Sequence, residues 1–279
     1  MVKGSSNGTV YAHAWFAASA KRAQEAENFG DTCAGITVVT LTAFMVESYF
    51  NYICSRLLNK SELVEAVLDS DLPLDVVAKL DDCGKNLGFE ERVAKAYGID
   101  ERYELLANNL IKFSHGRKSK RLTICFEESG KDGADFTEID NKFRIPPIVK
   151  CKAILDTVSR DEQKNNEFVN IVERLFSARN SLAHGKTENV SNTFTIDDEE
   201  VSPESCPSVI ASWQESCSLE KAQSYYRTCT ELVNYIGKLA LDEEHPLLTL
   251  SSQVSGLQGY RANKQFKSDS ARLAFLVWF

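Results

Sequence analysis

The sequence predicts a mainly α-helical bundle with a small inserted β-hairpin and a C-terminal tail. Apolar residues recur at helical spacing along most of the chain, most clearly in residues 34–58, 167–184 and 212–240. By contrast, residues 121–128 include the strand-like run Leu-Thr-Ile-Cys-Phe, and a turn-forming segment with two glycines follows at 130–133. Residues 136–145 are therefore predicted to return as the second strand of the hairpin.

Length and charge limit the organisation of the chain. Its 279 residues suit one large domain or one domain with a satellite, and a hydrophobic content of 43% allows a proper core. The formal net charge is −8, so the whole molecule repels nucleic acid and RNA binding would need a local basic patch. We expect a helical domain at residues 1–245, with the basic and hairpin insert at about 117–145, and a tail at 246–279.

The cysteines and the N-terminal sequence indicate the cellular compartment of the protein. The eight cysteines form no Cys-x-x-Cys pair and no metal-ligand spacing. Cys54 and Cys229 fall on apolar helix faces, as buried reduced thiols do. Residues 1–20 lack a basic and then apolar leader with a cleavage site. We therefore expect a cytoplasmic protein that uses neither a metal nor a cofactor.

The predicted elements follow in order. Helices are expected at residues 10–29, 34–58, 61–68, 88–97, 100–113, 148–159 and 167–184, with a further one opened by Pro73. The last long helix begins at Ser212 or Ser218, after a polar loop at residues 187–211.

The second helix is predicted to lie at the centre of the bundle. Residues 34–54 carry a single formal charge, Glu47, in a mostly apolar run, and a helix that is apolar nearly all round is a buried one. A membrane span is the competing interpretation, since about 20 apolar residues suffice. Its several threonines, together with Glu47 and Asn51, fit a span poorly, so we expect no membrane.

The segment Arg179-Asn180-Ser181-Leu182-Ala183-His184 contains side chains suited to phosphate binding and proton transfer. Arginine offers a fixed fork of donors to phosphate oxygens, and histidine can give or take a proton near neutral pH. Asn180 and His184 are four apart on a helix, so the amide can orient the imidazole. The structural alternative is a helix-terminal histidine that caps carbonyl groups, beside an arginine that extends away from the core.

The face of the helix on which Arg179 lies predicts its partner. Arg179 falls within the apolar stripe, between Leu175 and Leu182, where a guanidinium without a partner costs several kcal/mol. Glu47 is a carboxylate in the core helix and needs a cation. We therefore expect Arg179 to pair with Glu47, with Asn51 one turn further as an additional polar contact.

These motifs resemble those of HEPN domains. Arg179 to His184 resembles the family's R-x4-H signature, and residues 46–51 resemble its first long helix, where a Glu and an Asn recur at this spacing. The resemblance implies a metal-independent endoribonuclease in which His184 is the general acid or base, Arg179 stabilises the phosphorane and Asn180 orients the imidazole or a phosphate oxygen. Glu47 and Asn51 would support these three residues.

The resemblance also implies partners. It predicts a homodimer in which two Arg179–His184 motifs face each other, an RNA substrate, and a toxin–antitoxin or antiviral setting in which an antitoxin or another protein can bind. The same resemblance allows a different class of function, a non-catalytic module that binds a nucleotide, RNA or a partner protein.

Two further segments are candidates for binding. The basic residues are candidate RNA-binding groups, or alternatively a solvated loop: Lys112, Arg117, Lys118, Lys120, Arg121 and Lys186. The apolar chain end at residues 273–279 is expected to pack on its own bundle, on a second subunit or on a partner protein.

Overall fold

The computed structural model describes residues 3–25, 31–68, 80, 88–129, 133–184 and 210–258. The chain divides into two compact units. The larger unit comprises residues 12–250, and the smaller one comprises residues 1–11 and 251–279.

The larger unit is helical, which confirms the predicted fold class. Its described residues form eleven helices: α1 (Ala12–Glu25), α2 (Asp31–Leu58), α3 (Lys60–Leu68), α4 (Phe89–Ala96), α5 (Ile99–Phe113), α6 (Arg117–Glu128), α7 (Phe136–Phe143), α8 (Pro147–Val158), α9 (Glu162–His184), α10 (Ser212–Ser216) and α11 (Leu219–Leu241).

Helix α2 forms the centre of the bundle, as its sequence predicts. It contacts α1, α3, α5, α7, α8, α9 and α11, and most of its apolar side chains between Val38 and Leu58 are fully buried. The segment Thr32–Leu58 is long and apolar enough to cross a membrane. Its packing against these helices gives it the surroundings of a bundle's core helix.

Helices α9 and α11 bury the stripes that their sequences predict. In α9, Phe168, Val172, Leu175 and Ala178 face the core, three or four residues apart. In α11 the buried positions are Ala222, Cys229, Leu232, Val233, Ile236, Gly237 and Ala240. Both helices pack against α2 and against each other, which brings the end of α9 beside the middle of α2.

The predicted β-hairpin at residues 121–145 is wrong, because α6 and α7 occupy this region. Branched and aromatic residues make the Leu-Thr-Ile-Cys-Phe run look like a strand. Only Leu122 and Phe126, four residues apart, are buried, whereas Ile124 is 52% exposed. The buried positions therefore follow the period of a helix and not the period of two that a strand requires.

Helix α7 begins at a well-formed cap. The Asp135 side chain accepts hydrogen bonds from the backbone N–H groups of Thr137 and Glu138, which satisfies two donors of the first turn. Phe136, Ile139 and Phe143 then point into the core at helical spacing. The cap and the burial together explain why residues 136–143 are a helix and not the returning strand.

The described strands of the smaller unit form a two-stranded antiparallel sheet that the sequence patterns did not predict. β1 (Lys3–Val10) pairs with β2 (Ser251–Gln258), so that Lys3 lies opposite Gln258 and Val10 opposite Ser251. β2 belongs to the segment that we expected to form a tail. The apolar end of that tail, residues 273–279, lies outside the described residues.

Helix α1 places a histidine in an aromatic setting. His13 is 3% exposed, and its ring centroid lies 5.1 Å from that of Tyr49 and 5.2 Å from that of Tyr52. Burial lowers the pKa of His13 from 6.5 to about 4, although a hydrogen bond with the backbone of Pro246 acts in the opposite direction. The fold therefore holds His13 in its neutral form at neutral pH.

This burial predicts acid sensitivity that depends on His13. The unfolded chain takes up a proton on His13 below pH 6.5, and the folded chain does so only near pH 4. Stability is therefore complete above pH 6.5 and falls as the pH drops towards 4, by about 3 kcal/mol from this residue. Urea unfolding at pH 7 and pH 4 should show a smaller decrease for His13→Gln than for the wild type. His115 is exposed, so His115→Gln should lose as much stability between pH 7 and pH 4 as the wild type does. An equal loss of stability in all three proteins would contradict the role of His13 in acid sensitivity.

Candidate functional site

Arg179 lies where α9 meets α2. Its side chain is half-buried, and its guanidinium carbon is 5.7 Å from the centre of the Phe44 ring. Phe44 in turn lies 5.6 Å from Phe16 of α1, measured between ring centres. A guanidinium over an aromatic face is attracted to the ring and keeps its outer side in water. Phe44 therefore holds the guanidinium of Arg179 against the bundle.

Asn180 and His184 lie on the outer side of the same helix end. Both side chains are exposed, and Arg179 Nη1 donates a hydrogen bond to Asn180 Oδ1 at 3.1 Å. No hydrogen bond joins Asn180 to His184 within the described part of the chain, in contrast to the predicted contact. Asn180 therefore orients the guanidinium and not the imidazole.

The spacing of the motif sets the directions in which the side chains of Arg179 and His184 point. Arg179 and His184 are five residues apart, which corresponds to about 140° around a helix axis. Arg179 consequently faces α2, whereas His184 faces solvent at the last residue of α9. The two side chains of one chain point away from each other, although both lie on the final turns of α9.

The predicted ion pair between Glu47 and Arg179 is not formed. Glu47 is half-buried on α2, and the ion pairs among the described residues do not include it. Arg179 instead contacts Phe44, which precedes Glu47 by three residues on α2. Because the guanidinium is only half-buried, water and Asn180 stabilise its charge without a carboxylate.

Among the residues that the structure describes, the fully buried charged side chain is Lys150, which the sequence patterns did not predict. Lys150 is 1% exposed, and its Nζ donates to Asn51 Oδ1 at 2.7 Å and to Asp140 Oδ2 at 2.8 Å. The other carboxylate oxygen of Asp140 accepts the backbone N–H of Ile145 at 3.0 Å. Asn51 was expected to support Arg179, but its partner is Lys150. The cluster joins α2, α7 and α8.

One signal in the sequence could have identified this cluster. Lys150 and Ile154 are four residues apart and share the buried face of α8. A lysine on an otherwise apolar stripe needs a buried partner, because a lone ammonium in the core costs several kcal/mol. The identity of that partner depends on tertiary packing, which periodicity does not give.

Cys54 and Cys229 are free thiols buried in the core, as predicted. Both are fully buried, and so is Cys151. Burial raises the pKa of Cys229 to about 12 and also raises the pKa values of Cys54 and Cys151. Among the residues that the structure describes, no three His, Cys, Asp or Glu side chains are grouped as metal ligands would be.

The basic residues lie on a different part of the bundle. Arg117, Lys118, Lys120 and Arg121 are exposed on the first two turns of α6, whose main packing partners are α5 and α7. Helix α9 packs instead on α2, α8, α10 and α11. The structure therefore does not bring these basic residues together with Arg179 and His184. Lys186 lies outside the described residues.

Lys112 differs from the other basic residues. Its Nζ lies 3.3 Å from Asp156 Oδ2, so part of its charge is already compensated within the bundle.

Comparison of this chain with protein-family models, with curated proteins and with solved structures finds no significant match.

Proposed function

We propose that this protein is a HEPN-type, metal-independent endoribonuclease that cleaves RNA by attack of the ribose 2′-hydroxyl and leaves a cyclic phosphate. The observation that supports it best is the arrangement at the end of α9. Asn180 and His184 are open to solvent, and Arg179, on the same helix end, is held by Phe44 and by its hydrogen bond to Asn180.

Each side chain has a role in the proposed reaction. His184 accepts the proton of the 2′-hydroxyl as its oxygen attacks phosphorus, and the P–O bond to the 5′-oxygen breaks as that oxygen takes a proton from the imidazolium so formed. Arg179 donates hydrogen bonds to the non-bridging oxygens, whose negative charge increases in the phosphorane. Asn180 keeps the guanidinium in the orientation that these hydrogen bonds need.

The divergence of Arg179 and His184 favours a dimeric site. Side chains about 140° apart on one helix point to different sides of it. In a homodimer with α9 packed about a two-fold axis, the histidine of one copy and the arginine of the other can act on the same phosphate. We therefore include in the proposal a homodimer with facing motifs, acting in the cytoplasm in a toxin–antitoxin or antiviral system with an antitoxin or another protein as partner.

Cleavage of RNA in EDTA by the purified protein tests this proposal. We expect products with cyclic phosphate ends, and a rate for His184→Ala that is lower by about 10²–10⁴-fold, the usual contribution of a general acid or base. Because His184 is exposed, His184→Ala should unfold at the wild-type temperature. The matched control is His245→Ala, which removes another exposed histidine and should retain full activity.

Two outcomes would contradict the proposed nuclease activity. One is the absence of cleavage of diverse RNAs, including tRNA, at high protein concentration. The other is cleavage by His184→Ala at the wild-type rate. Binding of RNA or nucleotide without cleavage would instead favour the non-catalytic module.

A further inference from the structure

The exposed face of α6 carries a concentrated positive charge in an acidic protein. Arg117, Lys118, Lys120 and Arg121 are all exposed, and none of the four forms an ion pair with any residue that the structure describes. The chain as a whole has a net charge of −8. These four charges are thus open to solvent and uncompensated by the described residues.

A neighbouring helix end extends this patch. Lys118 Nζ donates a hydrogen bond to the backbone carbonyl of Arg144 at 3.3 Å, which brings the end of α7 to the start of α6. Arg144 and Lys142 are also exposed. We define the α6 patch as Arg117, Lys118, Lys120, Arg121, Lys142 and Arg144.

The charges of α6 oppose its own stability. A helix is stabilised by acidic residues in its first turn and by basic residues in its last turn. In α6 the order is reversed, because the first turn has no acidic residue and the last turn contains Glu127 and Glu128. The basic residues therefore do not stabilise α6 in the isolated protein, and an external anion would remove the conflict.

We propose that the α6 patch is an accessory RNA-binding surface, which holds backbone phosphates at a distance from the Arg179–His184 motif. That the polyanion is RNA rests on the proposed function, and the fit rests on charge complementarity with the phosphate backbone. The separation follows from packing, since α6 contacts chiefly α5 and α7 while α9 contacts α2, α8, α10 and α11. A substrate must be long enough to reach both surfaces.

The test uses the full chain with His184→Ala, so that RNA stays intact during binding. The patch variant replaces Arg117, Lys118, Lys120 and Arg121 with Gln in that background. The matched control replaces Lys21, Arg22, Lys95 and Arg160 with Gln, which removes the same two lysines and two arginines from exposed positions elsewhere. The probe is a fluorescent single-stranded RNA of about 20 nucleotides, measured by anisotropy at several salt concentrations.

We expect the patch variant to bind this RNA at least about tenfold more weakly than the control at about 0.1 M salt. The slope of log affinity against log salt should become less negative by roughly 2–3, since each phosphate contact to a single strand contributes about −0.7. The melting temperature of the patch variant should stay close to that of the control, because removing positive charges at the helix start favours α6 while Lys118→Gln loses one exposed hydrogen bond to Arg144. Two results would overturn the proposal. One is equal RNA binding by the patch variant and the control, and the other is no RNA binding by the His184→Ala protein from which both are made.

A cleavage assay distinguishes failure of the accessory surface from failure of the proposed nuclease activity. With His184 restored, the patch variant should cleave a dinucleotide at the wild-type rate and a long RNA more slowly at low substrate concentration. If the patch variant cleaves long RNA like the control, the accessory surface is wrong and the nuclease stands. If the wild type cleaves nothing but the patch variant loses RNA binding, the nuclease is wrong and the RNA-binding surface stands.

Discussion

Lys150→Ala is expected to lower the free energy of unfolding by about 3–5 kcal/mol, the usual effect of removing one partner from a buried ion pair. Lys150 is 1% exposed, and its removal leaves a carboxylate oxygen of Asp140 and the amide oxygen of Asn51 without a donor. Water does not easily replace the ammonium there, since Phe136 covers it at 5.5 Å. Urea unfolding at neutral pH measures the change.

Lys152 provides the matched control on the same helix. Its Nζ lies 3.0 Å from Glu173 Oε1, but both side chains are at least one-third exposed. Lys152→Ala should therefore lower stability by less than about 1 kcal/mol. Adding Asp140→Asn to Lys150→Ala should recover part of the loss by removing the unpaired charge. Equal stability of Lys150→Ala and Lys152→Ala would show that the buried cluster does not support the fold.

Gly35→Ala is expected to destabilise the protein by about 3 kcal/mol through overpacking. Gly35 is buried on α2, where a Cβ atom would overlap the carbonyl oxygen of Cys217 and lie 3.1 Å from the backbone nitrogen of Leu219. Both are backbone atoms at the junction of α10 and α11, so no side chain can rotate away. The helices must separate to admit the methyl group.

The direction in which Gly35→Ala changes the free energy of unfolding distinguishes overpacking from helix propensity. Alanine is a better helix former than glycine by about 1 kcal/mol, so α2 alone would gain from the substitution. Gly88→Ala is the matched control, because its Cβ would meet only a Glu91 carboxylate oxygen at 3.9 Å. We expect Gly88→Ala to change stability by less than about 1 kcal/mol. A Gly35→Ala protein that is more stable than the wild type would contradict the close approach of α2 to the α10–α11 junction.

Long apolar stripes made much of this fold predictable. The stripes of α2, α9 and α11 repeat over several turns, and each proved to be a buried face. The error in α6 and α7 arose because short segments carry few repeats, so that local composition outweighed periodicity. Asp135, followed three residues later by Glu138, was an available signal for the start of a helix.

The candidate site was predictable in its location but not in its contacts. Periodicity placed Arg179 on the face of α9 that meets α2, and the structure shows that contact. It could not identify the side chain opposite, because Phe44 and Glu47 are separated by only about 4.5 Å along the axis of α2. The cluster of Lys150, Asn51 and Asp140 joins three helices, so its partners depend on tertiary packing.

Expression in a bacterial host tests the central claim, RNA cleavage by the Arg179–His184 motif, most directly. Growth is compared for cells that express the wild type and cells that express His184→Ala at equal soluble levels, without any partner protein. We expect the wild type to arrest growth as cellular RNA is cleaved, and His184→Ala to be tolerated. Equal growth of the two cultures would contradict the proposed catalysis and leave the motif as part of a binding module.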